Sequence, residues 1–254
     1  MAKIVSIVNQ KGGVGKTTTA VNMAAALGYM GKSVLLVDID PQGNTTSGYG
    51  IQRKNLRATA YELLIGSATA EECIIKTKFQ GVDIIPSNIN LAGAEIELAG
   101  MDKRESLLKN SLLKVQERYD FVFFDCPPSL GLITLNALNA SDSFLVPIQC
   151  EYYALEGLSQ LMATVRTVKR LYNQFIELEG VLLTMYDGRL NLTQQVVTEI
   201  KNFFPKKVYG TVIPRNVRLS EAPSFGEPVI YYDRGSRGSE SYLSLAEEFL
   251  KQQV

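Results

Sequence analysis

Short apolar runs recur along the chain at residues 3–8, 33–38, 82–85, 121–125, 143–146, 181–184 and 208–213. Runs without polar alternation predict strands buried on both faces of a parallel sheet. Between most of them the apolar positions move to helical spacing. Ala20, Met23, Ala24 and Leu27 fall three and four apart, and Gly31 stands where that helix would end. Leu155, Leu158, Met162, Val165, Tyr172 and Phe175 form one stripe of a helix predicted over residues 155–175. Further helices are predicted over residues 192–204 and 239–251. Strands alternating with helices through short connectors predict a single α/β domain over residues 1–254, with a mostly parallel twisted sheet flanked by helices on both faces. Residues 48–117 are the least regular stretch, and no repeat, low-complexity tract or linker divides the chain.

Composition narrows the function classes. A chain of 254 residues that is 46% hydrophobic has ample apolar content for a core, which excludes a disordered or collagen-like chain. Lys+Arg and Asp+Glu balance at 26 each, so binding to nucleic acid or anionic lipid would need a local patch. Histidine is absent and the three cysteines, Cys73, Cys126 and Cys150, form no C-x-x-C pair. That argues against a disulfide framework and excludes a His-ligated metal. Cys126 and Cys150 read as small buried residues. The first apolar run is too short for a signal peptide, and no run approaches the roughly 18 apolar residues of a membrane span, so the expectation is a cytoplasmic protein.

The strongest chemical signal is Gln10-Lys11-Gly12-Gly13-Val14-Gly15-Lys16-Thr17-Thr18, between the first strand and the first helix. Glycines there let backbone N–H groups approach phosphate oxygens, and the helix N-terminus adds a favourable dipole. Lys16 is placed to reach the β- and γ-phosphates of a nucleotide, and Thr17 to offer a hydroxyl to Mg²⁺. The bland alternative is a glycine-rich turn, which would not need Gly-Lys-Thr in register.

Two further strand ends carry carboxylates. The second strand ends in Asp38-Ile39-Asp40-Pro41-Gln42-Gly43-Asn44, where open α/β sheets bind ligands. Hydrolysis needs a group to position water, and without histidine a carboxylate is the natural candidate, so Asp40 is assigned that role. Asp38 either serves Mg²⁺ indirectly or caps the turn. Phe121-Val122-Phe123-Phe124-Asp125 ends in an acid as a Walker B strand does, which makes Asp125 a candidate for Mg²⁺ together with Thr17. Late in the chain, Ile213-Pro214-Arg215-Asn216 follows the seventh predicted strand, where its backbone could read adenine. From residue 180 to 219 six basic side chains face two acidic ones, a local excess that could hold a phosphate backbone. Surface ion pairs and helix-end lysines would account for the same charges.

The Lys11–Thr17 string resembles the deviant Walker motif of the ParA/MinD ATPases. The resemblance continues through Asp38–Asn44, residues 151–158, Ile213–Asn216 and Arg218–Ser224, nearly the whole chain, and is nearest to the chromosomal ParA/Soj group. It implies an Mg²⁺-dependent ATPase that sandwiches ATP in a homodimer, with Lys11 reaching across to the partner's phosphates. It implies that Asp40 supports hydrolysis, that Pro214, Arg215 and Asn216 line the base, and that Arg189 and Arg218 bind double-stranded DNA non-specifically. Arg215 could serve the base or the DNA, not both. A ParB-like activator and association with the nucleoid are implied too. The short stretch before Lys11 leaves no helix-turn-helix of the larger plasmid ParA proteins, so specific operator binding is not expected. Glu247 and Glu248 against Lys251 speak against a MinD-like basic membrane helix. No cysteine pair suits the shared iron–sulfur cluster of nitrogenase-type reductases. A metabolic P-loop enzyme such as a biotin-pathway ligase, a ParA-like ATPase that positions another cargo, or one that regulates cell division or replication initiation remain as alternatives.

Overall fold

Alternate residues of each central strand enter two different cores, as a sheet covered on both faces requires. The computed structural model describes residues 2–151 and 154–253, with the side chain of Asn55 outside that set. Tyr152 and Tyr153, part of the 151–158 string, therefore lie outside the described residues. Seven strands, β1 (Lys3–Ile7), β2 (Val34–Asp38), β3 (Ile75–Lys76), β4 (Val82–Ile85), β5 (Phe121–Asp125), β6 (Ser143–Gln149) and β7 (Glu177–Thr184), form one sheet in the order β3-β4-β2-β5-β1-β6-β7. All neighbours are parallel except β3, which runs antiparallel to β4. On β2, Val34 and Leu36 join one core while Leu35 and Val37 join the other; Phe121 and Phe123 part from Val122 and Phe124 in the same way on β5.

The first of these cores is closed by the helices Lys16–Tyr29 and Arg237–Lys251, which pack on each other. The apolar face of the last helix, Tyr242, Leu245, Ala246 and Phe249, is buried there. The opposite face of the sheet is covered by the helices Ala60–Ile65, Leu91–Leu98, Leu107–Leu112, Leu132–Ala140, Ala154–Leu171 and Asn191–Phe203. Among the described residues no helix is long and apolar enough to cross a membrane.

Gly31 follows the first helix as expected, with a left-handed φ of 83° that favours glycine. Gly28 is demanded by packing instead. A Cβ there would lie 2.2 Å from the Gln80 carbonyl oxygen and 2.8 Å from Val82 Cγ2, so the backbone before β4 would have to move. Gly28→Ala should cost about 3 kcal/mol despite the better helix propensity of alanine, read as a lower urea midpoint.

Two expectations need correction. Residues 208–213 do not form a strand. They run beside β7 through isolated bridges, with Val181 paired to Val208 and Tyr186 to Pro214. Between these the amides of Gly210 and Thr211 turn to the Glu248 carboxylate at 2.7 and 2.8 Å, so a side chain of the last helix takes the Thr211 donor that a continued ladder would use. The helix predicted to Phe175 ends at Leu171, because the Asn173 amide donates to the carbonyls of Leu138, Asn139 and Ser141 and ties the chain to the turn before β6. Tyr172 and Phe175 consequently leave the buried stripe and are exposed. The irregular stretch 48–117 also holds β3, whose two residues give too short a pattern to be visible in the sequence.

Candidate active site

Strands β1, β2 and β5 end in register, which concentrates the polar chemistry on one edge of the sheet. Asp125 is the partner of both Ile7 and Asp38 at the carboxyl ends of these strands. The phosphate loop leaves β1 directly above. Gly13 and Gly15 have φ of 72° and 87°, a conformation that costs a Cβ-bearing residue, and Gly15 leads straight into the helix Lys16–Tyr29. The loop is tied down from two further strands. Asn9 donates to the Pro147 carbonyl on β6 at 2.8 Å, and the Thr184 hydroxyl at the end of β7 donates to the Val14 carbonyl at 2.8 Å.

Lys16 is buried beneath this loop and its ammonium donates to the Lys11 carbonyl at 3.0 Å. Burial lowers its pKa, and the carboxylates of Asp125 and Asp40 oppose that shift. The Thr17 hydroxyl donates to Asp125 Oδ2 at 2.8 Å. A second hydroxyl, that of Thr45, donates to the same oxygen at 2.7 Å, while Asp125 Oδ1 is buried without a hydrogen-bond partner among the described residues. Burial raises the Asp125 carboxyl, and the Thr45 and Thr17 hydroxyls pull it back. Thr45 was not anticipated from the sequence; the only available signal was its position directly after the Asp38–Asn44 string.

Asp38 and Asp40, two residues apart, enter different surroundings. Asp38 is fully buried and accepts from the Thr46 amide and hydroxyl at 2.8 and 2.6 Å and from the Asp40 amide at 3.2 Å. Burial, reinforced by the neighbouring Asp125, pushes its carboxyl strongly upward. Of the two roles left open for Asp38, these bonds are those of a cap on the turn and on the short helix Asn44–Gly48. Asp40 faces the loop instead: its Oδ1 accepts from the Gln42 amide at 2.9 Å and the side chain lines the cleft beside Gly12, Gly13 and Lys16.

That cleft has a volume of 820 Å³, within the range of small-molecule sites. Thr17 and Thr18 line it, as do Met185, Pro214, Arg215 and Asn216. The predicted base-binding string thus reaches the same cleft as the phosphate loop although its strand is absent. Asn216 Oδ1 is buried without a partner among the described residues. The residues also suit Mg²⁺. No cluster of three or more acidic or thiol ligands exists among the described residues, and this cation favours one or two protein oxygens with phosphates and waters completing its shell. The Thr17 hydroxyl and the orphaned Asp125 Oδ1 supply that kind of donor set.

Other predicted residues lie apart. The Lys11 ammonium pairs with Glu151 Oε2 at 2.5 Å, and Lys11 does not line the cleft. Arg189 makes a bidentate pair with Asp187 at 2.9 and 2.7 Å, and Arg218 pairs with Glu221 and Asp233 at 2.8 and 3.0 Å. Val217 and Leu219 line the cleft and Arg218 does not. Cys73, Cys126 and Cys150 are all buried as free thiols, and burial raises each pKa, so none is poised as a nucleophile.

A family model described as an AAA domain matches residues 2–178. The solved structure of cobyrinic acid a,c-diamide synthase from Mycobacterium smegmatis, with bound ADP and magnesium, superposes with a TM-score of 0.87 at 35% identity, covering 100% of this chain and 96% of that one. The chain is 51% identical over 251 residues to the chromosome partitioning protein ParA of Myxococcus xanthus, covering 99% and 89% of the two chains. It is 58% identical over 248 residues to the sporulation initiation inhibitor protein Soj of Bacillus subtilis, covering 98% of both. With this identity along almost its whole length and the family model over most of it, the chain belongs to the ParA/Soj family of P-loop ATPases.

Proposed function

We propose that the protein is a chromosome- or plasmid-partitioning switch that dimerises around ATP, binds DNA without sequence preference as the ATP dimer, and is reset by hydrolysis to ADP and phosphate. Lys16 and the loop amides from Gly12 to Thr18 hold the phosphates, Asp40 positions the attacking water, and Pro214, Arg215 and Asn216 receive the base. Thr17 and Asp125 would hold Mg²⁺, which when bound neutralises charge on the β- and γ-phosphates. Lys11 would stabilise the partner's transferring phosphoryl group as an arginine finger does. A ParB-like partner would accelerate hydrolysis, and relatives named for chromosome partitioning, at 51% and 47% identity, are closer in sequence than the diamide synthase at 35%.

The observation that supports dimerisation most directly is Gly12. Its φ is not left-handed and a Cβ built on it meets nothing within 4 Å among the described residues, so packing within one subunit does not require glycine there. A surface that approaches from outside would. Gly12→Val should therefore fold with an unchanged melting temperature yet stay monomeric with ATP and Mg²⁺ in sedimentation velocity. A Gly12→Val dimer of normal affinity would remove this support.

DNA binding rests on Arg189 and Arg218. The Arg189 side chain is 87% exposed, so its pair with Asp187 is a solvent-screened one of small worth and can be exchanged for a phosphate. The test is binding of Asp40→Ala protein to random-sequence duplex DNA across a salt series, with ATP or ADP. Salt-sensitive binding with ATP alone is expected, and each of Arg189→Ala and Arg218→Ala should lower the log–log salt slope by about one. Binding that ignores the nucleotide, or none, would sink the DNA role.

A further inference from the structure

The two lysines of the phosphate loop point to different tasks. Lys16 donates inward to the loop's own backbone, while the ammonium of Lys11 lies 2.5 Å from Glu151 Oε2, a residue 140 positions later. Both partners are anchored to the same strand. Asn9 Oδ1 accepts from the Lys11 amide at 3.0 Å and the Asn9 side-chain amide donates to Pro147 on β6. Glu151 follows the end of β6 closely; its amide donates to Gln149 at 2.8 Å and its carbonyl accepts from Ala154 at 2.9 Å, at the start of the helix Ala154–Leu171. The side chains are 36% and 46% exposed, so water competes for the pair and opening it costs little.

Resting on the ATP-dimer reading above, we propose that Glu151 is a positioning residue that parks the Lys11 ammonium within its own subunit and thereby sets the threshold for ATP-dependent dimerisation. Lys11 can reach a partner's phosphates only after it leaves Glu151, so the carboxylate competes with the incoming triphosphate for one cation. The triphosphate carries the larger charge and wins once two loaded subunits meet. Before that, the pair keeps a mobile cation off the loop surface that Gly12 leaves open. Because an exposed pair contributes little, Glu151 tunes the dimer constant by a small factor and does not block dimerisation.

The test uses Glu151→Gln, which keeps the shape and removes the charge, with two readouts. In nucleotide-free protein the rate at which an amine-acetylating reagent modifies Lys11, followed by mass spectrometry, should rise about threefold while the buried Lys16 is unaffected. In the Asp40→Ala background with saturating ATP and Mg²⁺, the dimer dissociation constant should fall about three- to fivefold at low salt, and the gain should shrink as salt screens the pair. Unchanged acetylation would show that Lys11 is not held by Glu151. Faster acetylation with an unchanged or weaker dimer would show that the pair does not govern assembly. If Asp40→Ala with intact Glu151 stays monomeric, the dimer reading itself falls, and the role of Glu151 with it.

Discussion

Replacing Lys16 by alanine is expected to abolish nucleotide binding while leaving the fold intact. The cation is buried under the phosphate loop, among the loop amides that would hold a triphosphate, and its charge-assisted bonds cannot be supplied by Lys11, which does not line the cleft of its own subunit. Such bonds contribute about 1.5–3 kcal/mol each, so loss of two would weaken ATP binding by at least about 100-fold. The folded state should tolerate the change. Burial lowers the Lys16 pKa, so its charged form is held at a cost in the folded protein, and removing it relieves that cost even as Asp125 loses a counter-ion. Isothermal titration with ATP and Mg²⁺ should show no heat of binding, and thermal melting of the nucleotide-free protein should be within a few degrees of the unchanged chain. ATP affinity within tenfold of normal would refute the assignment of Lys16.

Asp40→Ala should separate binding from turnover. Asp40 lines the same cleft as Lys16, and apart from accepting the Gln42 amide its side chain has no structural task comparable to that of Asp38. Loss of a group that positions or deprotonates water lowers hydrolysis by about 10²–10⁴-fold. The ATP affinity should stay within a few-fold of normal, because Lys16, Thr17 and the loop amides are untouched. The protein should therefore accumulate as an ATP dimer in sedimentation velocity and show no phosphate burst. Asp38→Ala should behave differently: it uncaps Thr46 and the Asp40 amide, so loss of stability should accompany loss of turnover. An Asp40→Ala protein that hydrolyses ATP at the normal rate, or that stays monomeric with saturating ATP, would overturn the scheme.

Much of this site was legible because its signals are local. Gly13 and Gly15 sit where the backbone must turn left-handed, Lys16 and Thr17 follow at once in the helix, and Asp125 closes an apolar run; each needs only its neighbours in the chain to be recognised. The string Pro214–Asn216 was expected to line the base from the end of a strand. It does reach the cleft, but from an edge segment whose ladder is interrupted by Glu248, and no pattern within residues 208–213 could reveal a competitor on the last helix. Arg189 and Arg218 could be found as charges, and their partners Asp187 and Glu221 lie two and three residues away in the chain, whereas Asp233 is brought to Arg218 only by the fold.

The sequence by itself determined the α/β class, the two-faced burial of the strands and the left-handed turn of the glycine-rich loop between β1 and its helix. Those properties follow from periodicity and from backbone conformations that residue type alone restricts. Only the tertiary structure decided between the two roles open to Asp38 and set the surroundings of each carboxylate. Register between β2 and β5 sets Asp38 opposite Asp125, Thr46 then claims Asp38 as a cap, and Thr45 joins Thr17 on Asp125, leaving Asp40 to the cleft. The same is true of Lys11, whose partner Glu151 is brought to it by β6 pairing beside β1. Across 140 residues Lys11 carries no record of its counter-ion; distance in space, set by strand order and register, selects it.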